Sequence, residues 1–181
     1  RHSSHQRLRF CLSHKTAPVE IRERMAFAEA DLAAAAGRIR ALGLATEALV
    51  VSTCNRVELY AAIPAGDPAA LAQQLRGFLL RDRGYTGDAS GTVYTHLGTA
   101  ALEHLFRVVS GLDSLVLGET EILGQIKRFY SLALSSGHTG GILNRSFQRA
   151  FAMAKRIRTE TQIQRGNTSV AAVAVELAER I

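Results

Sequence analysis

No run of about 18 apolar residues occurs in this chain, so it offers no segment able to cross a bilayer as a helix. The start, Arg1-His2-Ser3-Ser4-His5-Gln6, has no apolar stretch like that of a secretory signal, and cytosol is the expected compartment. Cysteine is scarce. Cys11 and Cys54 can form at most one bridge, which excludes a disulfide framework and suits reduced thiols. No G-x-G-x-x-G follows a predicted strand, so a dinucleotide fingerprint is missing from these 181 residues. Aromatics on the predicted strands are only Phe10, Tyr60 and Tyr94, a weak platform for stacking RNA bases. No metal-ligand set is assigned.

What the chain does have is enough apolar residue, 47%, for a real core in one ordinary domain or two small ones. Its net charge of +6 is uneven. Between Asn144 and Arg165, Arg145, Arg149, Lys155, Arg156, Arg158 and Arg165 face a single acidic residue, Glu160. Such clustering suits a polyanionic partner, the alternative being a solvated helix face.

The chemistry concentrates at residues 50–60. Leu49-Val50-Val51 reads as a strand that delivers Ser52-Thr53-Cys54-Asn55-Arg56 into a polar turn, and a second strand, Val57 to Ile63, leads away. Cys54 thus sits at a strand end among polar neighbours rather than inside the apolar run. Thiolate is the nucleophilic form, and a nearby cation favours it. Arg56 can supply that charge and also clamp a carboxylate in fork geometry. The alternative is a half-buried turn cysteine.

Around this turn the pattern predicts a strand at Leu8 to Ser13, on which Cys11 is structural. Two helical stretches follow, one to about Met25 and one carrying Leu32, Ala35, Ile39 and Leu42 up to Gly43. After the two strands comes a helix capped by Asp67 with Pro68 at its first position, then a strand over Thr92 to Leu97. The order β-α-β-β-α-β is that of an α+β, ferredoxin-like sheet with helices on one face and the cysteine at its central hairpin tip. A small helical bundle should follow. Its helices are one capped by Thr99, one near Glu121 to Ser135 and one near Ile142 to Thr161. His104 lies beside the apolar stripe of the first, either as a packed core-edge residue or as a group titrating near neutrality. The stretch Gly111 to Gly124 mixes apolar residues with Asp113, Ser114, Glu119 and Glu121. It either presents polar groups or merely connects helices, with Ser114 as a cap. After a break at Gln164 to Thr168, Ser169 starts an Ala/Val-rich helix that runs to Ile181.

Three separated segments, STCNRVELY (52–60), SGLDSLVLGETEILGQIK (110–127) and the FQxAFxxAKxxRTET…SVAAVAVELA pattern (147–177), resemble the signatures of glutamyl-tRNA reductase, in that family's order. The resemblance implies a two-step reaction. Cys54 attacks the ester joining glutamate to its tRNA, and NADPH then reduces the thioester to glutamate-1-semialdehyde, the first step of tetrapyrrole synthesis. It implies Arg56, Thr53, Asn55, Ser114, Glu119 and Gln125 as substrate-binding positions and His104 as an acid/base or orienting residue. Thr120 receives no role.

It also implies a division into a cysteine-bearing subdomain at 1–98, a helical part at 99–166, and at 167–181 the start of a helix leading to an absent nicotinamide-binding domain. Partners follow likewise: glutamyl-tRNA(Glu), a second copy in a full-length homodimer, and the semialdehyde aminomutase at handover, with no membrane. The competing readings are a non-catalytic RNA-binding module and a stand-alone thiol hydrolase.

Overall fold

The computed structural model describes the backbone of residues 6–13 and 15–161 and the side chains of residues 15–161. In chain order the elements are β1 (Gln6–Ser13), α1 (Val19–Met25), α2 (Glu29–Ala41), β2 (Glu47–Ser52), β3 (Arg56–Ile63), α3 (Pro68–Asp82), β4 (Tyr94–Leu97), α4 (Gly98–Val109), α5 (Glu121–Ser135) and α6 (Gly141–Glu160). The fold is α+β. Its strands form one antiparallel sheet in the order β2-β3-β1-β4.

β3 is buried at every one of its positions, because helices cover both faces of the sheet and not, as expected, one: the helices after β4 fold back onto the open face. Side chains alternate along a strand, so Arg56, Glu58 and Tyr60 share one face, and this face meets α4, the loop after it and α6. Val57, Leu59, Ala61 and Ile63 point the other way, where α2 packs on β2 and α3 on β1. On the α6 side Tyr60 meets Phe147 edge-on with ring centroids 5.2 Å apart, and Phe147 stacks on Tyr130 of α5 at 5.5 Å. One apolar cluster therefore runs through sheet and helices alike.

Two local devices fix the helices that border the site. The carboxylate of Glu47, at the start of β2, accepts from the backbone N–H of Gly140 (2.9 Å), Ile142 (3.0 Å) and Leu143 (2.7 Å). These are the donors that the first turn of α6 cannot satisfy itself, so a strand residue caps a helix some 95 positions away in sequence. At Gly111, φ is +74° and a Cβ would lie 2.9 Å from the Glu119 carbonyl oxygen. Only glycine lets the loop between α4 and α5 fold back so tightly, and Gly118 N–H closes it onto the Gly111 carbonyl at 3.0 Å.

Several expected boundaries shift. Gly98, at φ +55°, turns β4 directly into α4, so the N-cap is Leu97 and Thr99 lies inside the first turn. β4 starts at Tyr94 because Thr92 is held in a turn, its N–H and hydroxyl both donating to the Ala89 carbonyl. Leu42, expected in the apolar stripe of α2, is its C-cap and 62% exposed. Ser114 caps nothing; the N-cap of α5 is Thr120. Asp67 caps α3 as expected, accepting from Ala69 N–H at 2.9 Å. The expected break at Gln164 to Thr168 and the helix from Ser169 lie outside the described residues, as do the side chains of Leu8 to Ser13. No helix among the described residues is long and apolar enough to cross a membrane.

Candidate active site

The hairpin joining β2 to β3 has a two-residue tip, Cys54-Asn55, closed by Thr53 N–H donating to the Arg56 carbonyl at 2.8 Å. Short hairpin loops usually rely on residues at positive φ; no non-glycine residue in the described chain has one. Side chains hold this tip instead. Asn55 N–H donates to the Thr53 hydroxyl at 3.2 Å, and Arg22 of α1 reaches over to the Cys54 carbonyl (3.0 Å) and Asn55 Oδ1 (3.2 Å). The Cys54 thiol is exposed.

Below the tip opens a cavity of about 220 Å³. Thr53, Cys54, Asn55 and Arg56 form one wall. Ser114, Leu115 and Glu119, from the loop closed by Gly111, and Glu121, Ile122 and Gln125, from the first turns of α5, form the rest. Every residue expected to bind substrate thus meets at one cavity although they come from two distant stretches of chain. The Ser114 hydroxyl oxygen is out of contact with solvent and has no hydrogen-bond partner, which leaves a donor and an acceptor for a ligand. The volume suits an amino-acid side chain rather than a nucleotide.

Behind this wall lies a buried set of charges. The Arg56 side chain is 1% exposed and that of Glu58 0%. Arg56 Nη1 donates to Glu58 Oε1 (3.0 Å) and Asp113 Oδ2 (3.3 Å), and Nη2 donates to the Asp113 carbonyl (2.7 Å). Tyr60 donates its hydroxyl proton to Glu58 Oε2, and His104 Nε2 lies 3.3 Å from Glu58 Oε1. Lys15 donates to Asp113 Oδ1. Burial would raise the Asp113 pKa, but the Lys15 hydrogen bond and the charges of Arg56, His104 and Lys15 outweigh it and hold the carboxyl below its ordinary value. The guanidinium is thus fixed from behind by two carboxylates and a carbonyl while it contributes to the cavity wall.

His104 does not line the cavity. It stands one residue removed, stacked near His96 with ring centroids 5.7 Å apart and bound to Glu58. Sequence reasoning passed over Glu58 and Tyr60, and it gave Asp113 and Arg22 no role. The signal for the first two was present: Arg56, Glu58 and Tyr60 fall at period two on a strand otherwise filled with apolar residues. Among the described residues, no group of three or more His, Cys, Asp or Glu could hold a metal ion.

Comparison with known proteins identifies the family. The family described as glutamyl-tRNAGlu reductase, N-terminal domain, matches residues 10–161. The chain is 49% identical over 171 residues to a glutamyl-tRNA reductase of Syntrophotalea carbinolica, covering 94% of this chain and 38% of that protein. It is 48% identical over 170 residues to the one of Akkermansia muciniphila, covering 94% of this chain and 49% of that protein. The solved glutamyl-tRNA reductase from Methanopyrus kandleri superposes with a TM-score of 0.76 at 34% identity, over 96% of this chain and 39% of that one. The chain therefore spans between about two fifths and one half of the length of these relatives. On the extent of these matches, this chain belongs to the glutamyl-tRNA reductase N-terminal domain family.

Proposed function

We propose that this chain is the substrate-binding and thioester-forming portion of an NADPH-dependent glutamyl-tRNA reductase acting on glutamyl-tRNA(Glu). One observation carries the reading: an exposed cysteine at a braced hairpin tip opens onto an amino-acid-sized cavity that also receives a buried guanidinium and an unpartnered hydroxyl. The Cys54 thiolate adds to the ester carbonyl. A C–S bond forms, the C–O bond to the terminal ribose breaks, and the ribose oxygen leaves and takes up a proton. Arg56 seats the side-chain carboxylate of glutamate, while Thr53, Asn55, Ser114, Glu119 and Gln125 surround the amino acid. His104 orients Glu58, and through it Arg56, rather than touching substrate.

The described residues do not fit a dinucleotide. Their sheet is wholly antiparallel, and no glycine-rich turn leads from a strand into a helix in the manner of a pyrophosphate site. Reduction to glutamate-1-semialdehyde, with bound NADPH as hydride donor, is therefore assigned to another part of the reductase. The strand order β2-β3-β1-β4 supports a ferredoxin-like classification, with subdivisions at 1–98, 99–166 and 167–181. A cytoplasmic location, a full-length homodimer and handover of the semialdehyde to an aminomutase complete the proposal. A non-catalytic RNA-binding sheet draws less support, since helices cover both sheet faces and Tyr60 is buried against Phe147.

Intact mass after incubation with glutamyl-tRNA tests the reading. A glutamyl adduct on the wild type and none on Cys54→Ser is expected; an adduct that survives this substitution overturns it.

A further inference from the structure

On the side of α5 away from the cavity runs a groove of about 460 Å³ between α5 and α6. Lys127, Lys155 and Arg158 line it together with Leu123 and Phe151, and no carboxylate does. The basic residues are not consumed by ion pairs. Arg156 is bound to Glu160 at 3.1 Å and Arg128 to Glu29 at 2.9 Å, whereas Lys127, Lys155 and Arg158 have no acidic partner among the described residues. Lys127 rests its ammonium 5.7 Å from the Phe151 ring centroid. Nε and Nη2 of Arg158 are out of contact with solvent and without a hydrogen-bond acceptor. A guanidinium in that condition needs an anion, because burying charged donors unpaired is costly.

At about 100° per residue, Lys155 and Arg158 share one side of α6, while Arg145 and Arg149, one turn apart, lie on another side nearer the helix start. Three cations from two helices, gathered in one groove without a carboxylate, can meet successive phosphates of a nucleic-acid backbone and exceed what a single small anion would use. The groove and the catalytic cavity share one helix: Ile122 and Gln125 line the cavity, and Leu123 and Lys127, one helical face away, line the groove. One ligand with a reactive end and a polyanionic body can occupy both.

We propose that the groove between α5 and α6 is a phosphate-binding track for the RNA backbone of the substrate, holding the acceptor end so that its amino acid enters the cavity at Cys54. The inference rests on the aminoacyl-tRNA reading and assigns it a surface. Phosphate contacts position a nucleic acid without reading its sequence, so the track binds RNA strongly in low salt and discriminates little between sequences.

The experiment measures affinity for unacylated tRNA(Glu) against salt concentration, for the wild type, for Lys127→Ala/Lys155→Ala at two exposed positions, and for the triple variant with Arg158→Ala. Each lost phosphate contact removes about 0.7–0.9 from the slope of log affinity against log salt. The triple variant is expected to show a slope shallower by about two and binding roughly tenfold weaker, and the double variant an intermediate loss. Slopes equal to wild type in both variants overturn the proposal and leave the groove to a protein segment. Acylation of wild-type Cys54 by a small glutamate ester separates the two readings. If it succeeds while the slopes stay equal, the track fails and acyl transfer stands. If it fails while the slopes fall, the track stands without that chemistry.

Discussion

The two faces of β3 carry the same backbone and opposite chemistry. One face, Val57, Leu59, Ala61 and Ile63, is hydrocarbon closed by α2 and α3, and Val57, Leu59 and Ile63 each contribute about 1.5–3 kcal/mol by leaving water. The other, Arg56, Glu58 and Tyr60, is equally buried and holds a network of charges. A buried ion pair is a poor source of stability, since desolvation offsets most of the attraction. The charged face thus makes sense by what it positions: a guanidinium oriented in the wall of the cavity next to Cys54. Stability is supplied by one side of the strand, and by the other the fixed placement of a guanidinium in the cavity wall.

Substitutions on the two faces sharpen that contrast. The largest effect is expected for Glu58→Ala, which strands Arg56 with one carboxylate fewer and removes the acceptor of Tyr60 and His104. About 3–5 kcal/mol of stability should go, and acylation of Cys54 per folded molecule should fall as well. Denaturant titration together with intact-mass kinetics reads both; unchanged acylation would break the comparison.

Leu59→Ala on the opposite face should cost about 2–5 kcal/mol through lost burial and the cavity left behind. Its Cys54 acylation per folded molecule should match wild type, measured in the same way at a temperature where both proteins are folded.

A smaller loss, about 1 kcal/mol, is expected for Glu47→Gln, which weakens the carboxylate cap on α6 without touching either face. Helical circular dichroism followed through thermal unfolding checks it.

The smallest effect concerns acid. The native Asp113 carboxyl sits below its ordinary value of 3.8, so its contribution is fully present above that value and is lost as pH falls through the lower native one. In Asp113→Asn, the decline of stability below about pH 3.8 should be shallower than in wild type, as read by denaturant midpoints across that range.

Much of this was legible from residues alone. The hairpin at Cys54 is announced by two β-branched runs around a polar turn, and the helices over Glu121 to Ser135 and Ile142 to Thr161 follow from their apolar stripes. Asp67-Pro68 marks a helix start by capping chemistry. The convergence of 53–56 with 114–125 on one cavity came from the resemblance, not from any local pattern, because nothing in either stretch encodes the other's position. Gly98 misplaced the cap at Thr99, since positive φ depends on where a strand must hand over to a helix. Glu58 escaped notice because charged residues are rarely buried, and its partners Arg56, Tyr60 and His104 justify the exception only once assembled.

The order of strands and helices, the cysteine at a turn and the basic character of the last described helix were determined by sequence, because each depends on periodicity, turn chemistry or charge within a few residues. The tertiary structure alone decided that Arg56 is held by Asp113, that His104 stands behind the cavity against Glu58, that Arg22 braces the tip and that Glu47 caps α6. Those contacts join residues between 32 and 96 positions apart, and only the packing of helices onto both faces of the sheet brings their atoms within hydrogen-bonding reach.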